Sequence, residues 1–263
     1  MAEERMDPLT ASAPSFWEHA YRYRFAARFV RDRRVLDIAC GEGYGTAALR
    51  RAGAGSVLGI DISQQTCRRA RHRYGERFCA GDAHAIPVAD RSMDVIVSFE
   101  TIEHVTRPDV FLDECVRVLA PKGILILSTP NEEVHRESGE PNPYHCSEMK
   151  EADFLSLLSS RFKHTGRYVQ MVKSAPWWSL RSIAATHPGW VRLKGGWRVR
   201  EWIRSRLFPE IFRDVDRQDR HSPVEAILSR DRFLASWVNP YCVRRRSRST
   251  RERPWYLVSV CHD

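Results

Sequence analysis

Residues 35–46 read VLDIACGEGYGT. Val35, Leu36 and Ile38 form a short apolar run with an acid, Asp37, inside it, and Gly41-x-Gly43-x-Gly45 follows at once. That is the pattern of a buried strand turning sharply into a helix. Glycine is needed there because it takes positive φ without steric cost and lets the backbone approach a ligand closely. A dinucleotide site would space its glycines G-x-G-x-x-G and seat a pyrophosphate on the helix N-terminus. Here the third glycine comes one residue early, and Asp37 stands near the strand end. A carboxylate in that place repels pyrophosphate and suits a ligand carrying cationic groups.

Working outward, the same short apolar runs recur as VLGIDI, RFCAG, MDVIVSF and GILILST, with helix-like stretches at 46–52, 64–74 and 108–119 between them. Alternation of this kind predicts a parallel sheet with crossover helices. Runs at 162–172 and 255–261 would close the sheet as an antiparallel pair. The expected fold is α/β: a Rossmann-like, doubly wound, mostly parallel seven-stranded sheet with a helical insertion before the last strand. Phe16, Ala20, Tyr23, Ala27 and Val30 recur at helical spacing over 15–30 and predict an amphipathic helix. The domain reading is a helical lid at 1–33, a core at 34–172, an insertion at 173–254 with helical spacing in 197–207 and 224–237, and a final strand at 255–263.

At 263 residues and 43% hydrophobic content, one such domain with an insertion fills the chain. No stretch reaches the roughly 18–20 uncharged apolar residues of a membrane span, and the first residues lack a secretory apolar segment, so a cytoplasmic protein is expected. The cysteines (Cys40, Cys67, Cys79, Cys115, Cys146, Cys242 and Cys261) are scattered and nowhere form C-x-x-C. That indicates neither a disulfide framework nor a thiolate zinc site, and reduced thiols are expected. The formal charge of +9 is concentrated: residues 181–253 hold 18 Lys and Arg against 8 Asp and Glu. Such a stretch suits nucleic acid, an anionic membrane surface to which the protein would be peripheral, or a phosphorylated or lipid-linked acceptor, and equally an ordinary solvated face.

Two further acids follow later strands. Asp61 lies 24 residues beyond Asp37, where an acid accepts ribose hydroxyls, and Asp82 is placed to accept an adenine amino group with Ala83 beside it. Residues 35–46, Asp61, 81–83, 93–105 and 118–131 together resemble the successive motifs of class I S-adenosylmethionine (SAM)-dependent methyltransferases. The resemblance implies SAM as cofactor. Asp37, Gly41 and Gly43 would hold its methionine end, Asp61 its ribose and Asp82, with Ala83 beside it, its base, and Ala39, Ile62 and Phe99 are further cofactor-binding candidates.

After the fourth strand, SFETIEHV supplies Glu100, Glu103 and His104 at i, i+3, i+4, and NPYHCSEM later adds His145. This set resembles the metal site of small-RNA 2′-O-methyltransferases, the E-x-x-E-H element of ubiquinone-pathway O-methyltransferases, and the N-P-[FY]-H-x-x-E run of glycan-modifying methyltransferases. All three act on neighbouring hydroxyls. The resemblance implies a divalent ion, Mg²⁺ or Mn²⁺, on Glu100, Glu103, His104 and His145, with Glu103, His104 and His145 as catalytic candidates. Without a metal, His104 would be a general base. The expected activity is O-methylation of a saccharide hydroxyl in a glycan, glycolipid or nucleotide-linked sugar. Alternatives are a quinone-pathway or small-metabolite acceptor, an RNA ribose, or a SAM-binding subunit without catalysis.

Overall fold

A computed structural model describes residues 13–134, 142–170, 224, 243–245, 254 and 256–263. The chain enters through α1 (Ala13–Ala26), continued by a 3-10 turn (Ala27–Phe29). Then come β1 (Arg34–Ile38), α2 (Tyr44–Arg51), β2 (Ser56–Asp61), α3 (Gln64–Tyr74), β3 (Arg77–Ala80) and β4 (Met93–Phe99). They are followed by α4 (Pro108–Val118), β5 (Leu119–Pro130), α5 (Glu151–Ser159), β6 (His164–Gln170), β7 (Val243–Arg245) and β8 (Tyr256–His262).

The strands form one sheet in the order β3-β2-β1-β4-β5-β8-β6-β7. β1 to β5 pair in parallel, and β8 runs antiparallel between β5 and β6. The α/β, Rossmann-like expectation holds, with one strand more than seven. The extra strand is β7, three residues pairing with the far edge of β6. It lies inside the stretch read as insertion, and three residues are too few to show an alternating pattern. α5 is likewise absent from the sequence reading. The helical spacings in 197–207 and 224–237 fall outside the described residues, except that Val224 is helical and fully buried.

Successive strand residues face opposite sides of the sheet, so each apolar run serves two layers. Val35, Val57, Val95, Val97 and Ile126 pack with Phe16, Ala20, Tyr23, Ala47 and Leu49 on the α1–α2 side. Leu36, Ile38, Ile60, Ile96 and Leu125 pack with Phe111, Leu112, Phe154 and Leu158 on the other. Emptying one such position costs about 2–5 kcal/mol.

The chain runs outward from β1 to β3 and then returns to β4 on the other side of β1. The carboxyl ends of β1 and β4 therefore open a crevice, where ligands bind in sheets of this kind. Helix α1 covers it and is pinned to the antiparallel strands. Arg22, fully buried, donates from Nη1 to Gln170 Oε1 (2.8 Å) and lies over the Tyr256 ring (4.4 Å). The Tyr256 hydroxyl donates to Glu18 Oε2 (2.8 Å). Among the described residues, no helix is long and apolar enough to cross a membrane.

Candidate active site

The crevice is a cleft of about 810 Å³. Its floor is the turn after β1, where Ala39 (φ 56°), Gly41 (φ 53°) and Gly43 (φ 80°) are all left-handed. A Cβ on Gly41 would meet nothing within 4 Å, so the missing side chain leaves open space over the turn. A Cβ on Gly43 would lie 2.6 Å from the Phe78 ring. Gly45 has a different cause again: inside α2, its Cβ would fall 2.0 Å from Cζ of Tyr23. The third glycine therefore admits an aromatic ring from α1.

Tyr23 packs edge-on against Tyr44 and Phe99, with ring centres 5.6 and 5.1 Å away, and its hydroxyl donates to Asp37 (3.2 Å). Thr46 Oγ1 donates to the same carboxylate at 2.6 Å. Asp37 is fully buried beneath the turn, and burial pushes its pKa up to about 7 despite these two donors. Neither Asp37 nor Gly43 forms the cleft wall, whereas Ala39, Gly41, Asp61, Ile62, Asp82, Ala83 and Phe99 do.

Asp61 accepts the backbone N–H groups of Gly41 (3.0 Å) and Ser63 (2.9 Å), which locks the first and second strand ends together. Asp82 accepts the His84 backbone N–H (2.8 Å) and faces its Nδ1 (2.8 Å). These bonds, the backbone one first, hold the Asp82 carboxyl below the usual range. Ile62 is 72% exposed although apolar, and it borders the cleft together with exposed Tyr144.

At the other end lie Glu103, His104 and His145, with ligand atoms all within 4.8 Å of one another. The Glu103 carbonyl accepts the backbone N–H groups of Cys146 (2.7 Å) and Ser147 (2.9 Å), and this carries His145 to the turn after β4. His104 Nδ1 lies 3.0 Å from the Tyr144 carbonyl, and His145 Nδ1 lies 2.8 Å from Glu148 Oε1. Both partners only accept, so each Nδ1 carries a hydrogen, and Nε2 is the ring nitrogen left to take a ligand. The Glu103 carboxylate is buried, and neither oxygen has a hydrogen-bond partner among the described residues. Burial, and then Glu100, push its pKa well up.

Glu100, expected as a fourth ligand, stands apart from this cluster. In left-handed backbone (φ 52°), it accepts from Ser128 Oγ (2.8 Å) and lies 4.0 Å from Arg22 Nη1. Sequence reasoning also missed Glu18, His19 and Tyr23 of α1 and Tyr256 of β8, all on the cleft wall. The one available signal was the set of polar residues within a helix otherwise packed as core.

This crevice and sheet define a class I, Rossmann-like methyltransferase fold. Residues 36–127 match the family described as Methyltransferase domain, and the chain carries such a domain over that stretch. A Mycolicibacterium smegmatis protein named as a probable S-adenosylmethionine-dependent methyltransferase is 36% identical over 148 residues, covering 55% of this chain and 57% of that one. A ubiquinone biosynthesis O-methyltransferase of Parvibaculum lavamentivorans is 36% identical over 111 residues, 40% of this chain and 44% of that one. The solved structure of an SAM-dependent methyltransferase from Thermotoga maritima shares the fold, with a TM-score of 0.51 at 20% identity over 61% of this chain and 80% of that chain. The chain spans about half the length of the curated relatives it matches first.

Proposed function

We propose that the protein is an SAM-dependent O-methyltransferase acting on a saccharide hydroxyl, assisted by a divalent cation on Glu103, His104 and His145. When bound, the cofactor supplies a methyl group made electrophilic by a sulfonium. The residues fit it. The open space over Gly41 admits the methionine end, Asp61 faces the cleft where ribose hydroxyls need an acceptor, and Ile62 offers an apolar contact to the base near Asp82 and Ala83.

The observation that carries the reading is the cluster beyond the methyl end. Two imidazoles have their Nδ1 hydrogens committed to a carbonyl and a carboxylate, the usual outer support of a metal-binding histidine. Within 4.8 Å of their ligand atoms lies the buried carboxyl of Glu103, which makes no hydrogen bond among the described residues. Ionised, that group is costly to bury unless a cation neutralises it, and its raised pKa reflects that cost. Asn142 Nδ2, 3.1 Å from His145 Nε2, would turn aside for the ion. Carboxylate and imidazole suit Mg²⁺ or Mn²⁺, which would orient neighbouring hydroxyls and acidify the one to be methylated.

Among the described residues the cleft wall holds no Lys or Arg. The reacting end therefore suits a neutral polyol, and any phosphate of a glycolipid or nucleotide sugar would fall to the basic stretch 181–253. A quinone-pathway catechol is the second reading, favoured by the Parvibaculum relative.

The test is turnover of nucleotide sugars and catechols after exhaustive EDTA treatment, with Mg²⁺ and Mn²⁺ added back separately. Loss on chelation and recovery on add-back is expected, with S-adenosylhomocysteine binding retained throughout. Full activity in the stripped enzyme refutes the metal, and turnover of catechols alone replaces the saccharide.

A further inference from the structure

We propose that His19, on helix α1, is the general base that takes the proton of the acceptor hydroxyl. The inference rests on the O-methyl-transfer reading above and supplies what that reading lacks. Glu103, His104 and His145 are there committed as ligands, and a cation acidifies a hydroxyl without removing its proton. A group with a free lone pair must still stand at the cleft.

His19 meets that need. It is half-buried and lines the same cleft as the Glu103 cluster, one turn before Tyr23 and next to Glu18. Its ring has no hydrogen-bond, ion-pair or ring partner among the described residues. Because the ring is only half-buried, its nitrogens remain open to the cleft and can meet a ligand there. The neighbouring apolar positions, Phe16 and Ala20, belong to the core and fix the helix, so the ring is presented by a rigid element.

The surroundings keep the ring unprotonated. Burial pushes its pKa well below the ordinary imidazole value, and the Arg22 charge adds to the effect. The charged and titratable groups on the elements around it include Glu18, Arg22 and Tyr23 on α1, Tyr44 on α2, Glu100, Glu103 and His104 after β4 and Tyr256 on β8. A weak base suffices where a cation has already acidified the hydroxyl, since efficiency depends on how closely the two pKa values match.

In the transfer, the acceptor O–H bond breaks and its proton joins an imidazole nitrogen of His19. The oxygen forms the new C–O bond to the methyl carbon. The pair from the broken C–S bond stays on sulfur, leaving a neutral thioether. The imidazolium then returns the proton to water as products leave.

The experiment uses the full chain with Mg²⁺ and two hydroxyl probes, catechol and methyl α-glucopyranoside. His19→Gly should lower kcat/KM by about 10²-fold or more, as loss of a general base does. S-adenosylhomocysteine affinity by calorimetry should stay unchanged. Added imidazole should restore turnover of His19→Gly in a saturable way and leave His19→Gln inactive, a response that a packing role would not show. Wild-type rates in His19→Gly, or an S-adenosylhomocysteine-binding variant that imidazole does not rescue, overturn the role of His19 alone. A wild-type enzyme that methylates neither probe refutes the hydroxyl-site reading, and the assignment falls with it.

Discussion

Asp37 offers the sharpest test of the cleft floor. Its carboxyl is fully buried under the glycine turn with pKa raised from 3.8 to about 7, burial outweighing the donors Thr46 and Tyr23. An acid with a raised folded pKa binds more protons folded than unfolded between those two values, so its contribution to stability falls as pH rises through that window and levels off above it. At about 1.36 kcal/mol per unit of pKa difference, the ligand-free protein should lose roughly 2 kcal/mol through this group between pH 5 and pH 7, and only a few tenths more by pH 8. Asp37→Asn removes that contribution. Urea unfolding of both proteins at pH 5, 6, 7 and 8 isolates it, because other titrating groups cancel in the difference. The advantage of Asp37→Asn should grow by that amount and then stop growing. A difference flat with pH would show that Asp37 ionises as an exposed carboxylate does, and the argument from burial would be wrong. In the wild type, a cationic ligand end near the turn should drive out about half a proton at pH 7, readable by calorimetry in two buffers of different ionisation heat.

Gly45→Ala should destabilise by about 1–3 kcal/mol in urea unfolding, because its Cβ would overlap the Tyr23 ring, and Tyr23→Ala in the same chain should relieve most of that cost where Tyr23→Phe does not. Asp61→Ala should weaken S-adenosylhomocysteine binding at least tenfold, because it loses both the proposed ribose contact and the bonds from Gly41 and Ser63 that shape the turn, each charge-assisted bond being worth about 1.5–3 kcal/mol. Equal affinities by calorimetry would remove that assignment.

The sheet core was legible because its signal is local and repeated. A parallel strand buried on both faces must be apolar throughout, as VLDIAC and MDVIVSF are, and the glycine turn after β1 shows in the same twelve residues. The acids at the ends of β2 and β3, Asp61 and Asp82, follow from position along the chain, because a parallel sheet brings successive strand ends to one edge. The reason for Gly45 was not legible: its constraint is a ring contributed by Tyr23, 22 residues earlier. Asp37, read as holding the methionine end of the cofactor, is fully buried beneath the glycine turn, and strand alternation does not reveal how deep a strand-end side chain sits once a helix caps it. Spacing put Glu100, Glu103 and His104 on one turn, but left-handed backbone at Glu100 turns its carboxylate to Ser128 and Arg22, while His145 reaches His104 and Glu103 from 41 and 42 residues away. The sequence by itself determined the layers, the strand ends and the ligand-facing edge, because these depend on periodicity and chain order. Only the tertiary structure decided which side chains share the cleft, including His19 and Glu18 of α1, because that depends on the packing of a helix against strands far from it in sequence.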